Sequence, residues 1–113
     1  MFPNTKWCGP GNTARNYNDL GSDAATDACC RQHDNCNPPG VRSGHLQYLC
    51  QLPNTQFQIS SCDCDRQFGH CLSRLGSKSL TATLVAKIYR TFVTNCIAYN
   101  PYTQQCRLID RVF

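Results

Sequence analysis

The sequence contains no glutamate, so its acidic side chains are seven aspartates, set against eleven lysines and arginines. The net charge of +4 is spread over positive residues from Lys6 to Arg111, which form no block. This scatter disfavours a nucleic-acid surface. Attraction to an anionic lipid surface and an ordinary solvated surface both fit the charge, and the composition does not choose between them.

Long hydrophobic runs are also missing. No stretch approaches the ~20 apolar residues that span a bilayer, so we expect no membrane-spanning segment. The opening MFPNTKW lacks the apolar core of a signal peptide, which indicates a mature chain. No Asn-x-Ser/Thr sequon supports secretion. The length of 113 residues predicts one domain, residues 1–113, with a modest core.

Cysteine, in contrast, is abundant. Ten cysteines in a chain of this length indicate a disulfide scaffold. Because disulfides persist in oxidising compartments, we expect a secreted, extracellular protein. Zinc is the competing explanation, but the CC and CDC spacings do not suit it, and the chain has no C-x-x-C or H-x-x-x-H element.

Three helices are predicted. The first starts within SDAATDACCRQHDN, where Ser22, Asp23 and Thr26 are capping candidates. The second follows Ser61 and ends at Gly76, and Phe68, Leu72 and Leu75 form an apolar stripe on it. The third covers residues 80–95, with apolar positions at 80, 84, 88 and 92 and further apolar positions at 85, 89 and 93.

The remaining segments read as loops and strands. Residues 37–58 should be loop, with at most short strands around HLQYL and QFQIS. The tail CIAYNPYTQQCRLIDRVF predicts a hairpin that turns near Asn100 and Pro101.

Cysteine spacing links the first two helices. Cys29 and Cys36 are seven residues apart, and so are Cys64 and Cys71. Each pair therefore lies on one helix face, about 10 Å apart at ~1.5 Å per residue. Two antiparallel helices could be joined at both points, by Cys29 with Cys71 and Cys36 with Cys64.

The second of these bridges would bring a histidine and an aspartate together. Asp65 follows Cys64 directly, and His33 lies about one turn before Cys36, so Asp65 would approach the imidazole. Alone, the neighbouring His33 and Asp34 could be metal ligands, catalytic groups or ordinary polar residues.

The N-terminal loop offers a cation site. Cys30 lies one turn before Asp34, and a bridge to Cys8 would hold the loop against that carboxylate. Gly9 and Gly11 leave the backbone free to turn its carbonyls inward. Three carbonyls and one carboxylate would form part of the oxygen shell that Ca²⁺ prefers. The net charge near +1 would suit a phosphate and an ester carbonyl.

Three motifs resemble one enzyme family. WCGPGN, TDACCRQHDNC and SCDCDRQFGHCL are similar, in order and spacing, to the signatures of the secretory phospholipases A2 of the bee-venom type (group III). VAKIYRTFVTNC resembles the family too, so the similarity covers roughly residues 5–106. It implies a single phospholipase A2 domain with an α+β, mainly helical, disulfide-rich fold. Its parts would be two long antiparallel disulfide-linked helices, a calcium loop at residues 7–12, a third helix and a small β-hairpin.

The resemblance implies an activity and its catalytic residues. The reaction would be calcium-dependent hydrolysis of the sn-2 ester of glycerophospholipids, yielding a fatty acid and a lysophospholipid. His33 would be the general base for water, and Asp65 would orient the imidazole. Tyr89 would support Asp65 by hydrogen bonding, although it also fits the apolar stripe of the third helix. Its spacing to Cys96 is about one residue shorter than in the bee-venom pattern.

The resemblance also implies the metal ligands. One Ca²⁺ would be bound by the carbonyls of Trp7, Gly9 and Gly11 and by the Asp34 carboxylate. The Gly9 amide would assist as an oxyanion donor. His45, His70 and Asp63 have no such context and are expected at the surface.

Four disulfides follow from the resemblance: Cys8 with Cys30, Cys29 with Cys71, Cys36 with Cys64, and Cys62 with Cys96. Cys50 and Cys106 have no family partners in this sequence. We expect them to pair with each other in a monomer, while a bridge from either one to a second chain stays open.

The enzyme would act on a phospholipid membrane surface. We expect Met1, Phe2 and Pro3 to enter the interface, with Lys6 as a nearby cation. The alternative is a non-catalytic toxin or receptor ligand on the same scaffold. The presence of His33, Asp34 and the loop glycines favours a secreted or venom enzyme.

Overall fold

The computed structural model describes residues 2–42, 44–53 and 58–110, with the backbone alone at position 77. In this part of the chain the fold is α+β and mainly helical, as expected. Its elements are α1 (Ala24–Asp34), α2 (Leu46–Leu49), α3 (Cys62–Leu75), a 3₁₀ turn (Gly76–Lys78), α4 (Leu80–Phe92), β1 (Asn95–Asn100) and β2 (Gln105–Asp110). Among the described helices, none is long and apolar enough to cross a membrane.

A side-chain cap begins each of the three longer helices. Asp23 accepts a hydrogen bond from the Thr26 amide, Ser61 from the Cys64 amide and Ser79 from the Ala82 amide. Such caps satisfy backbone donors that have no partner inside a helix. Of the three candidates for the first helix, the structure uses Asp23.

Two helices end earlier than the sequence predicts. The helix expected over residues 80–95 stops at Phe92, because Val93 is already extended and the chain enters β1 at Asn95. The first helix stops at Asp34. Cys36 therefore follows α1 instead of lying on it. Both Cys29 and Cys36 nevertheless form their expected bridges to α3.

The prediction of a short strand at HLQYL is wrong. Leu46–Leu49 form a helical turn in which Leu46 and Gln47 are both buried, which an alternating strand does not allow. The Gln47 side chain bonds to the Pro53 carbonyl and to the Ile59 amide. In the second expected strand, residues 56–57 lie outside the described residues, and 58–60 are not in a strand.

Disulfides join the elements. The bridges from Cys29 to Cys71 and from Cys36 to Cys64 fix α1 and α3 as antiparallel neighbours. All ten cysteines lie in the described ranges and all are paired within the chain, which leaves no thiol for a second chain. The other three pairs are Cys8–Cys30, Cys62–Cys96 and Cys50–Cys106.

The hairpin forms where the sequence predicts it. β1 and β2 are antiparallel, with Asn95 opposite Asp110 and Asn100 opposite Gln105. The Gln104 amide donates to the Asn100 carbonyl at 2.7 Å and closes the turn.

The core lies between the N-terminal segment and helices α1, α3 and α4. Phe68 and Leu72 of the predicted stripe are buried in it. On α4, however, Ala82 and Val85 face the core, while Leu80, Leu84 and Phe92 are exposed. The sequence shows two apolar stripes on α4, and only the second one packs inward.

Candidate active site

A cavity of about 440 Å³ opens between the N-terminal loop, the end of α1, α2, α3 and α4. We call it the site cavity. Its walls include His33, Asp34 and Tyr89 and residues 7 and 9–11 of the N-terminal loop. The fold therefore brings together three distant parts of the sequence: the N-terminal loop, the end of α1 and α4.

His33 lies in the last turn of α1 and Asp65 in the first turn of α3. His33 Nε2 is 2.8 Å from Asp65 Oδ1. Because Asp65 is fully buried and the Cys36–Cys64 bridge fixes the neighbouring residue, this pair has little freedom to separate. With Nε2 turned to Asp65, Nδ1 is the ring nitrogen left to exchange a proton.

Tyr89 completes this group from α4. Its hydroxyl donates to Asp65 Oδ1 at 2.9 Å and lies 3.3 Å from His33 Nε2. Burial, followed by the negative charge of Asp65, raises the pKa of Tyr89 above its usual range. The phenol is therefore protonated at neutral pH and serves as a hydrogen-bond donor to Asp65.

Aromatic rings hold the imidazole in its plane. Phe68 stacks on His33 with ring centroids 4.4 Å apart, and Tyr89 meets it edge-on at 5.3 Å. Phe68 and Tyr89 also contact each other at 5.2 Å. The sequence placed Phe68 only on an apolar stripe, and its contact with His33 was not predicted.

In the N-terminal loop, some backbone carbonyls accept hydrogen bonds and others do not. The Lys6 carbonyl accepts from the Thr13 amide at 2.9 Å, and the Cys8 carbonyl accepts from the Phe2 amide at 3.3 Å. The carbonyls of Trp7, Gly9 and Gly11 accept no hydrogen bond from any described residue. Gly9 and Gly11 have φ values of 113° and 68°, in the region that favours glycine.

Asp34 lines the site cavity together with residues 7 and 9–11 of this loop. It keeps a solvent-exposed edge. The protein around its carboxyl group removes much of the remaining solvation, and this effect, followed by repulsion from Asp27, raises the pKa of Asp34 to about 7. A cation bound beside Asp34 would favour its charged form and lower that pKa again.

This donor set fits a hard cation. No group of three or more His, Cys, Asp or Glu side chains in the described ranges could hold a metal. A site here therefore depends on backbone oxygens with a single carboxylate, a combination that Ca²⁺ accepts and completes with water or substrate oxygens. The residues that could bind it are Trp7, Gly9, Gly11 and Asp34.

Asp27 is a functional candidate that the sequence interpretation missed. This fully buried carboxylate accepts hydrogen bonds from the amides of Lys6, Trp7 and Gly21 at 2.8–2.9 Å. A signal existed: Asp27 lies one turn before Cys30, whose bridge to Cys8 shows which face of α1 meets the loop.

Two of the residues expected at a membrane interface make contacts within the protein. Phe2 packs against the core, and Lys6 Nζ is 2.7 Å from Asp19 Oδ1. Pro3 is exposed, and Met1 lies outside the described residues. His45, His70 and Asp63 are at the surface and do not line the site cavity.

A family model for phospholipase A2 matches residues 1–100 of the chain. The chain belongs to the phospholipase A2 family. The resemblance seen in the three motifs is thereby confirmed, and so is the assignment as an enzyme.

Relatives of this phospholipase A2 come from reptiles and arthropods. It is 37% identical over 117 residues to acidic phospholipase A2 PA4 of Heloderma suspectum, covering 94% of this chain and 78% of the relative. It is 34% identical over 109 residues to a phospholipase A2 of Bombus pensylvanicus, covering 96% and 78%. It is 44% identical over 77 residues to phospholipase A2 phaiodactylipin of Anuroctonus phaiodactylus, covering 68% and 46%.

Proposed function

We propose that this phospholipase A2 is a secreted, calcium-dependent enzyme that hydrolyses the sn-2 ester of glycerophospholipids. The products are a free fatty acid and a lysophospholipid, and residues 1–113 form one catalytic domain. A single juxtaposition carries the proposal. His33, which is bonded to Asp65, lines the same cavity as Asp34 and three loop residues whose carbonyls have no hydrogen-bond partner among the described residues: Trp7, Gly9 and Gly11.

His33 acts as the general base. Asp65 accepts from Nε2, which holds the proton there and leaves Nδ1 to take a proton from water. The resulting hydroxide attacks the ester carbonyl, and His33 returns the proton to the departing glycerol oxygen. Asp65 stabilises the charged imidazole between these two transfers, and Tyr89 holds Asp65 in place. No acyl-enzyme is formed.

The Trp7, Gly9 and Gly11 carbonyls and the Asp34 carboxylate would hold one Ca²⁺. When bound, the ion supplies positive charge that polarises the ester carbonyl. The Gly9 amide is the backbone donor for the developing oxyanion, and Pro10, which has no N–H, cannot replace it. The five disulfides of the chain suit the oxidising, calcium-rich extracellular space.

The lipid surface has two candidate contacts. Beside the expected N-terminal residues, α4 exposes Leu80 and Leu84, and one further turn along it Ile88 lines the site cavity. Lys78 and Lys87 are exposed nearby and would attract anionic headgroups. We include this α4 surface in the membrane-docking face, because Leu80 and Leu84 are exposed whereas Phe2, which also lines the site cavity, is partly buried against the core.

The deciding experiment is fatty-acid release from mixed phospholipid vesicles, in calcium and in excess chelator. We expect the wild type to release fatty acid only in calcium, and His33→Gln to lose this activity while keeping its fold and disulfides. If the folded wild type releases nothing in calcium, the scaffold is a binding protein, and a receptor must be sought.

A further inference from the structure

Asp27 is fully buried and lies outside the set of groups that would touch calcium or substrate. We propose that it is the positioning residue of the calcium loop: its carboxylate fixes the backbone so that the Trp7 carbonyl is held ready for the cation. This inference rests on the proposed calcium dependence. It adds a residue that binds neither metal nor lipid but sets the affinity for the metal.

The N–H hydrogen bonds that the Asp27 carboxylate accepts in the described part of the chain all come from backbone amides, and the Cys8 sulfur lies 3.7 Å from Oδ1. Oδ1 accepts from the Trp7 amide at 2.8 Å, and Oδ2 accepts from the Lys6 amide at 2.9 Å and the Gly21 amide at 2.8 Å. A buried carboxylate is costly unless hydrogen bonds satisfy it, and bonds to a charged acceptor are about twice as strong as neutral ones. Asp27 and these amides therefore define each other's positions.

The Trp7 carbonyl, the first proposed calcium ligand, has a link to α1 on each side of it along the chain. The amide of Trp7 is bound to Asp27, and the next residue, Cys8, is joined by a disulfide to Cys30, one turn further along the same helix. The Trp7 carbonyl lies between these two fixed points. Asp34, the proposed carboxylate ligand, is also on α1. One rigid helix thus positions both the carboxylate and the first carbonyl.

The same carboxylate also closes the loop at its far end. The Lys6 and Gly21 amides both donate to Oδ2, so both ends of the loop between them are bound to the same oxygen atom. A Cβ at Gly21 would lie 2.2 Å from the Asn4 carbonyl oxygen, which shows how closely the two chain segments meet there. The loop between Lys6 and Gly21 is therefore held at both ends.

The first test is the isosteric variant Asp27→Asn. Its amide group presents N–H donors where the carboxylate accepted from Lys6 and Gly21, so part of the anchor becomes repulsive. We expect calcium affinity to fall about 10- to 100-fold, as it does when groups that orient metal ligands are removed. Because saturating calcium favours the metal-bound loop by mass action, kcat at saturating calcium should stay within about threefold.

Two measurements report on the loop without using activity. Trp7 is the only tryptophan in the chain, so its fluorescence follows calcium binding directly, and calorimetry checks the same constant. In calcium-free protein, hydrogen exchange at the Lys6, Trp7 and Gly21 amides should be at least about tenfold faster in Asp27→Asn, because their acceptor is weakened. Asp23→Asn is the matched control, since Asp23 caps the same helix and its carboxylate accepts from Thr26 and Ser79 instead of from the amides of residues 6, 7 and 21.

The outcomes separate the two proposals. Wild-type calcium binding with unchanged affinity and exchange in Asp27→Asn would overturn the positioning role and leave the proposed function intact. A wild type that binds no calcium would overturn both. If Asp27→Asn does not fold, the peptide bond between Lys6 and Trp7 can be replaced by an ester, which removes the Trp7 N–H. Such a chain can be assembled by chemical ligation at Cys8. Unchanged calcium affinity of that protein would also overturn the inference.

Discussion

The Tyr89 hydroxyl donates to Oδ1 of Asp65 at 2.9 Å, the same oxygen atom that meets His33 Nε2 at 2.8 Å. Oδ2 of Asp65 is buried and has no hydrogen-bond partner among the described residues. One oxygen therefore carries both interactions, and the position of the imidazole depends on a phenol from another helix.

Tyr89→Phe tests this dependence. Loss of the donor leaves Asp65 with one fewer hydrogen bond and lets His33 and Asp65 shift together. A hydrogen bond to a charged group contributes about 1.5–3 kcal/mol, so we expect the free energy of unfolding to fall by about that amount. The rate kcat should fall about tenfold, because each 1.4 kcal/mol of lost orientation corresponds to that factor.

Tyr102→Phe makes the same chemical change at a side chain that is 95% exposed. Its denaturant midpoint and kcat should match the wild type. Equal kcat in Tyr89→Phe and Tyr102→Phe would show that Tyr89 contributes only packing to α4, which is the other interpretation of its place in the sequence.

Calcium affinity should depend on pH through Asp34. Because the pKa of this carboxyl is raised to about 7 in the metal-free chain, protons compete with the cation below that value. We expect the affinity to be constant above pH ~7.5 and to fall by up to about tenfold per pH unit below pH ~6.5. A carboxyl at its ordinary pKa of 3.8 would show no such fall above pH ~5.

Calorimetry in buffers of different ionisation enthalpy measures this competition, since proton release on calcium binding appears as a buffer-dependent heat. At pH 6 we expect close to one proton released, and at pH 8.5 close to none. An affinity that does not change between pH 5.5 and pH 8.5 would contradict the raised pKa of Asp34.

The sequence predicted those features of the fold that depend on the geometry of a helix. Cysteines seven residues apart, the three capping candidates that include Asp23, and the proximity of His33 and Asp65 all follow from helix geometry within one or two elements. What it could not predict depends on contacts between distant segments. The α2 turn contains Gln47, whose side chain bonds to Pro53 and Ile59, and Asp27 meets residues 6, 7 and 21 only in the folded chain. The two stripes of α4 were visible, but which one is buried was set by packing.

The Cys50–Cys106 bridge should contribute stability without serving the reaction. It joins the end of α2 to the hairpin, and neither cysteine lines the site cavity. In Cys50→Ser/Cys106→Ser, the free energy of unfolding should fall by about 2–4 kcal/mol. We expect a value near the lower end, because the Cys62–Cys96 bridge already shortens the loop that Cys50–Cys106 closes.

Vesicle hydrolysis by this double variant at 25 °C should stay within about threefold of the wild type. Peptide mapping of the unreduced wild type should recover the Cys50 and Cys106 peptides as one linked pair. A free thiol at either position, or a bridge to a second chain, would contradict the internal disulfide.

The exposed leucines of α4 provide the test of membrane docking. Leu80 and Leu84 are 86% and 43% exposed, and α4 continues from them to the site cavity at Ile88. Burying a leucine side chain contributes about 1.5–3 kcal/mol, so Leu80→Ser/Leu84→Ser should weaken binding to anionic vesicles by at least about tenfold. Hydrolysis of a short-chain phospholipid dissolved as monomers should be unaffected, since neither residue lines the cavity.

The matched control is Leu108→Ser on β2, which is 45% exposed and lies away from the cavity. Its vesicle binding should equal that of the wild type. Phe2→Ala tests the surface that the sequence favoured. Because Phe2 packs on the core, we expect its main effect on stability, with a smaller loss of vesicle binding than in the α4 variant. If Phe2→Ala abolishes vesicle binding while the α4 variant binds normally, the N-terminal segment is the docking face and α4 faces water.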